Sequence, residues 1–153
     1  MEAASRAEAL YLDDLSVGDV FISETHALDA EQIVEFASKF DPQPFHLDAE
    51  AARNSFFQGL AASGWHTTAI TMNLLVKSFP LAKGVIGAGA EISWPQPTRP
   101  GDVLQVTSRI IEIIPSRSKP DRGFIVVECI TANQRGEVLQ RLVTRVLCLR
   151  RGD

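Results

Sequence analysis

The sequence predicts an α+β domain in which one antiparallel sheet curls around a single apolar helix. Three observations carry this. Residues 65–79 place apolar side chains most of the way round a helical wheel: Trp65, Ala69, Met72, Val76 and Phe79 form one row, and Ile70, Leu74 and Leu75 add apolar surface elsewhere. A helix with so little polar face belongs in an interior. Four β-branched-rich runs follow, at 85–94, 103–114, 124–131 and 138–149, and turn signals separate them. Their short connections join antiparallel neighbours. Finally, 153 residues is the length of one domain, with enough interior to fold without a disulfide or metal staple.

The elements follow in order. Residues 1–10 are Ala-rich, carry Glu2, Arg6 and Glu8, and lack the apolar centre of a signal peptide. They are expected to form a mobile leader ahead of a single domain at 11–153. Residues 17–28 read as the first strand, entered through Gly18-Asp19. Asp29 is placed to cap a helix, with Gln32 as the reciprocal partner of a capping box. Ile33, Phe36, Ala37 and Phe40 recur at helical spacing and give that helix one apolar face. Pro42 and Pro44 end it and predict an extended loop over 41–46. Asp48 then caps a short helix running through Asn54, a small-residue stretch at 59–64 leads into the long helix, and Pro80 ends that helix.

In the run 103–114, Val103, Ile111 and Ile113 share one side of a regular strand, and Leu104, Val106, Ile110 and Ile114 share the other. One helix covers one sheet face, and an open sheet has two bare edges. A homodimer or higher homo-oligomer is therefore expected. In the last strand Val138, Leu142, Val146 and Cys148 fill one side. The turn near 133–136 would pair Cys129 with a residue near 142, away from Cys148, so both thiols read as free and buried.

Composition excludes several classes. Apolar residues make up 45% and charged residues 22%, the balance of a globular protein. Lys plus Arg is 15 against 19 for Asp plus Glu, a net charge of −4. A general nucleic-acid or anionic-membrane binder is basic, so neither partner is expected. No apolar run approaches the ~18 residues of a membrane span, and a cytoplasmic location is expected. Three scattered histidines and no Cys cluster argue against a metal site. No glycine-rich phosphate motif is present.

Two places can carry chemistry. Asp41 and His46 bracket a loop stiffened by two prolines, which lowers the cost of holding two groups in one arrangement. An Asp–His pair can hold a water and exchange protons with it; equally, Asp41 can cap a turn and His46 the helix that follows. The second place is Ala62-Ser63-Gly64 at the start of the long helix. A helix N-terminus offers unused N–H groups and partial positive charge, and a glycine admits close approach, as an oxyanion site requires. Alternatively, Ser63 is an N-cap and Gly64 serves close packing. His66, one turn away, either lines a pocket or is a hydrogen-bonded core histidine, and His26 has no evident partner. Arg99 and the loop of Arg117, Lys119 and Arg122 either contact the phosphates of a coenzyme or are solvated.

Taken together these residues resemble a known family. The segment 36–48, with Asp41-Pro42-Gln43-Pro44-Phe45-His46 at its centre, is similar to the hydratase signature of MaoC-like proteins, in which an Asp is followed by x-Asn-Pro-x-His. Gly59-Leu60-Ala61-Ala62-Ser63-Gly64-Trp65 resembles the family's next block, where His-Gly-Met is usual, and Thr98-Arg99-Pro100-Gly101-Asp102 resembles its later Pro-Gly-Asp turn. Ser116 through Gly123 also looks familial, and the resemblance spans roughly residues 11–149. It implies the hot-dog fold, a long central helix wrapped by an antiparallel sheet.

The resemblance also implies an (R)-specific enoyl-CoA hydratase or related acyl dehydratase. It places the catalytic pair on Asp41 and His46, the oxyanion N–H on Gly64, and Ser63 and Gln43 beside the substrate. Gln43 stands where the family has Asn, and Ser63 where it has His. Coenzyme A, or an acyl-carrier protein, would enter only as part of the thioester substrate, with no separate cofactor. The same resemblance implies a pocket often completed at a subunit interface. The alternatives are a hot-dog thioesterase, which directs water to the thioester carbonyl, and a non-catalytic acyl-thioester-binding protein.

Overall fold

The computed structural model describes residues 8–152. The elements are β1 (Val20–Ala27), α1 (Ala30–Phe40), α2 (Pro44–Leu47), α3 (Ala49–Arg53), α4 (Gly64–Ser78), β2 (Ile86–Ser93), β3 (Val103–Pro115), β4 (Arg122–Ala132) and β5 (Val138–Leu149). The strands form one five-stranded sheet in the order β1-β3-β4-β5-β2, and each neighbouring pair is antiparallel; β2, expected beside β3 across the 94–102 connection, instead pairs with β5 at the far edge of the sheet. The alternation of β4 is regular: Ile125, Val127 and Cys129 are buried in the core that α4 shares, and the residues between them are half-buried. On α4 the side facing the sheet carries Ile70, Leu74 and Leu75, which share one core with Leu104, Val106, Ile110 and Val146. Phe79, at the end of α4, packs its ring edge-on against Phe21 at 4.3 Å.

Several local expectations are corrected. The helix at 65–79 is not buried all round. Trp65, Met72 and Val76, three members of the predicted apolar row, are exposed on the single chain, and His66, Thr67 and Thr71 are inside instead. On α1, Ile33 and Ala37 are buried as expected, and Phe40 is exposed. The segment 41–46 is not extended throughout: Pro44 begins the short helix α2, because a proline at the first helical position has no N–H to waste. Half of the predicted capping box forms. Asp29 accepts from the Gln32 N–H at 2.9 Å, but the Gln32 side chain turns to His26, its Oε1 lying 2.7 Å from Nε2.

In β3 a bulge between Ile110 and Glu112 breaks the register. An extra residue moves everything after it to the opposite face. Ile113 therefore packs on the core, and Ile114, expected beside Ile110, is exposed. The expected leader falls largely on 1–7, outside the described residues. Leu10, by contrast, is tied in: its N–H donates to Pro80 O at 2.8 Å and its carbonyl accepts from Ala82 at 2.7 Å. Cys129 and Cys148 are free and buried.

Candidate active site

The site begins where α1 stops. Asp41 caps the C-terminus of α1, its N–H bonded to Ala37 O. The two-proline turn then reverses the chain so that α2 presents His46 back toward Asp41. The His46 Nε2 lies 3.3 Å from Asp41 Oδ2. His46 Nδ1 lies 2.6 Å from the Ala61 carbonyl. A carbonyl only accepts, so Nδ1 carries the proton, and in the neutral ring Nε2 is a bare acceptor. Backbone pairing keeps this register: Ala61 N–H donates to Phe45 O at 3.1 Å, and Ala62 N–H to Thr98 O at 2.9 Å.

Asp41 has its own partners. Burial raises its pKa, but the amide of Gln43, 2.5 Å from Oδ1, the Ser63 hydroxyl and His46 together outweigh burial and leave it below the ordinary carboxylate value. Gln43 and Ser63, both expected beside the substrate, thus act on Asp41. Ser63 also caps α4, accepting from the Trp65 N–H at 3.3 Å. Gly64 is the first residue of α4, so its N–H has no partner within the helix. A cleft of about 550 Å³ joins these groups; Asp41, His46, Phe57, Gly64, Trp65 and Trp94 line it. The space beside the Gly64 Cα is taken by Trp94: a methyl group there would lie 2.7 Å from Cε2. Glycine is therefore demanded by this ring as well as by any ligand.

Other candidates fall elsewhere. His66 is buried but not hydrogen-bonded as expected: its ring stacks flat on Phe36 at 4.5 Å, and Nδ1 has no partner. Arg99 does not face the cleft as a free charge. Its guanidinium donates to the carbonyls of Phe57, Gly59 and Leu60 and so clamps the turn before α4. The loop of Arg117 and Lys119 joins the far ends of β3 and β4, on the order of 30 Å from the cleft by strand rise, and Arg122 pairs with Asp121 at 3.0 Å. Among the described residues no three His, Cys, Asp or Glu side chains converge as a metal site, and no helix is long and apolar enough to cross a membrane.

Sequence reasoning missed Gln140. It is fully buried on β5, and its Oε1 accepts from Trp94 Nε1 at 2.9 Å and Thr68 Oγ1 at 2.8 Å. The signal was present: a long amide interrupts the apolar side between Val138 and Leu142.

A family model described as MaoC like domain matches residues 16–128. The chain belongs to the MaoC-like family. It is 58% identical to a MaoC-like dehydratase from Rhodospirillum rubrum of known structure, with a TM-score of 0.93 over 95% of this chain and 100% of that one. It is 32% identical over 127 residues to the uncharacterised protein YdeM of Bacillus subtilis, covering 81% of this chain and 88% of the relative. A 3-hydroxybutyryl-CoA dehydratase of Methylorubrum extorquens is 27% identical over 112 residues, 72% of this chain and 69% of that protein. The sheet and helices described above are those of the hot-dog fold that the MaoC-like resemblance implies.

Proposed function

We propose that this MaoC-like protein is an acyl-thioester hydratase/dehydratase, adding water to a trans-2-enoyl-CoA or removing it from a 3-hydroxyacyl-CoA. The observation that carries this is the pairing of two acceptors, Asp41 Oδ2 and His46 Nε2, 3.3 Å apart on one cleft. A water beside them donates one hydrogen to each, which leaves its oxygen lone pair directed at substrate. The thioester carbonyl lies at the Gly64 N–H and the positive end of α4, where charge developing in an enolate-like transition state is stabilised. The pair takes one proton as the hydroxyl adds to the β-carbon and returns one to the α-carbon, so the count closes. The similarity to the 3-hydroxybutyryl-CoA dehydratase of Methylorubrum extorquens supports the same chemistry. An acyl-carrier-protein thioester fits the same site chemistry.

This proposal extends to a second copy of the chain. Strand β2 is a sheet edge whose residues are exposed on both sides, Ile92 excepted. Beside the sheet α4 shows the apolar row Trp65, Met72 and Val76 to solvent. A two-fold pairing of β2 edges would cover both features, and sedimentation at micromolar concentration checks it.

The test of activity is one incubation with crotonyl-CoA and one with a saturated acyl-CoA. Loss of enoyl absorbance is the expected result. Release of free thiol would instead mark a thioesterase, and neither signal would mark a binding protein.

A further inference from the structure

Gln140 and Trp94 form an arrangement that the proposed chemistry does not use. Burying an amide is costly unless all its groups are paired. Gln140, with no exposed surface, has both ends engaged: Oε1 holds Trp94 Nε1 and Thr68 Oγ1, and Nε2 donates to Thr71 Oγ1 at 3.1 Å. Thr71 in turn lies 2.7 Å from Thr131 Oγ1. The network ties β5, α4 and β4 together, and a buried network in which each polar atom has a partner is held in place. The indole of Trp94, just past the end of β2, is the one member that reaches the cleft.

Three contacts fix that ring. Its N–H is bonded to Gln140. Its face lies on Gly64, so close that a Cβ there would sit 2.7 Å from Cε2 and 2.9 Å from Cζ2. Its neighbour Trp65 meets it edge-on at 5.7 Å and 79°. A tryptophan held this way is a wall and not a lid.

We propose that Trp94, seated by Gln140, is the specificity-determining wall of the acyl pocket, and that it restricts the substrate to thioesters of short acyl chains. The proposal rests on the acyl-thioester function above. With the carbonyl at the Gly64 N–H and the β-carbon at the Asp41–His46 pair, the acyl tail starts within reach of the indole. The ring fills the space between Gly64 and Gln140 and is partly exposed at the cleft, so in this proposal a longer tail running along that side of the cleft meets it. Its removal opens that side, and Gln140 Oε1 keeps Thr68 as a partner, so the network beneath survives.

The experiment compares wild type, Trp94→Ala and Trp94→Phe. It measures kcat and KM for crotonyl-CoA and octenoyl-CoA, and calorimetric Kd values for butanoyl-CoA and octanoyl-CoA. One or more added methylenes in an apolar pocket change discrimination by about tenfold or more. Trp94→Ala should therefore raise the octenoyl-to-crotonyl ratio of kcat/KM by about tenfold or more, through a lower KM for the longer substrate. It should tighten octanoyl-CoA binding in parallel. Trp94→Phe keeps a ring at the wall but loses the N–H that Gln140 holds, so its ratio should fall between wild type and Trp94→Ala; a ratio equal to wild type would remove Gln140 from the proposal. If wild type hydrates neither enoyl thioester, the hydratase function fails, and the saturated-ligand Kd ratio still decides the wall. A folded Trp94→Ala protein with unchanged ratios overturns the proposal, as does a wild type that prefers octanoyl-CoA. Should Trp94→Ala not fold, Trp94→Leu carries the same comparison.

Discussion

His46 and His66 are buried almost equally, at 5% and 8% exposure, yet they are different chemical objects. The His46 ring has Nδ1 anchored on the Ala61 carbonyl and Nε2 facing Asp41. The His66 ring lies flat on Phe36, and its Nδ1 has no partner. Burial pushes the His66 pKa below 6.5, and His26 nearby pushes the same way. In the proposed mechanism it is pairing, not burial, that sets His46 apart from His66. One ring has a fixed tautomer and an acceptor nitrogen turned to a cleft; the other is an aromatic plate that resists becoming charged.

The strongest way to break this contrast is to remove the pair. Asp41→Asn and His46→Ala should each lower crotonyl-CoA hydration by roughly a hundredfold or more. The double variant should be little worse than either, because both act on one water. Turnover near wild type in either single variant, with an unchanged melting curve in Asp41→Asn, would remove that residue from the mechanism. His46→Ala also strips the Ala61 carbonyl of its donor, and a buried acceptor left unpaired costs about 1–3 kcal/mol. Asp41→Asn is therefore the cleaner variant, and calorimetry of both should show the difference.

Gly64→Ala comes next. Loss of an oxyanion donor's alignment costs about 2.7–4 kcal/mol in transition-state stabilisation, so turnover should fall by roughly a hundredfold or more. The same substitution in a Trp94→Ala background separates the two demands on this glycine. Alanine keeps the N–H, so recovery there would show that the missing side chain is demanded by the Trp94 ring alone; activity that stays low would show that the ligand demands it too.

Smaller effects sharpen the Asp41 side. Ser63→Ala removes an N-cap and should cost ~1 kcal/mol of stability in a denaturant titration. It also removes one of the groups that keep the Asp41 pKa low, as does Gln43→Leu. The acidic limb of the pH–rate profile should move to higher pH in both. A limb that stays put would mean that Asp41 is not the group titrating there.

The smallest effect belongs to His66. Its folded pKa lies below its unfolded value of 6.5, so below that pH the unfolded chain binds the proton that the folded chain refuses. Stability is then lost as pH falls from the unfolded value toward the folded one. His66→Phe should flatten the melting temperature against pH between about pH 7 and 5 and leave hydration unchanged. An equally steep curve in the variant would locate the dependence elsewhere.

Much of this was legible in the chain. Turn residues and β-branched runs marked every strand, and short turns correctly joined β3 to β4 and β4 to β5, but the 94–102 connection carries the chain from one edge of the sheet to β3, so β2 and β3 are not neighbours. The prolines around Asp41 and His46 singled out the candidate pair. What failed did so for physical reasons. A bulge at Ile111 changes face without changing composition, so Ile113 and Ile114 exchange roles. The apolar row of α4 could not announce that it faces outward, since an uncovered surface and a core use the same side chains. Gln140 was passed over because a polar residue on a buried strand face gains its meaning from Trp94, Thr68 and Thr71, which lie far from it in sequence.

The two cysteines have a consequence of their own. Burial raises both thiols above their ordinary pKa, Cys148 to about 11, and Cys129 with the carboxylate of Glu128 adding to the effect against a hydrogen bond from Ser108. Nucleophilic attack and oxidation both proceed through the thiolate. Neither sulfur offers that form near neutrality, and in register Cys129 lies opposite Leu142 while Cys148 lies opposite Gly123. In the folded sheet peroxide and alkylating reagents meet almost no exposed sulfur and little thiolate, so labelling of either thiol is expected to report the opening of the strands that cover it.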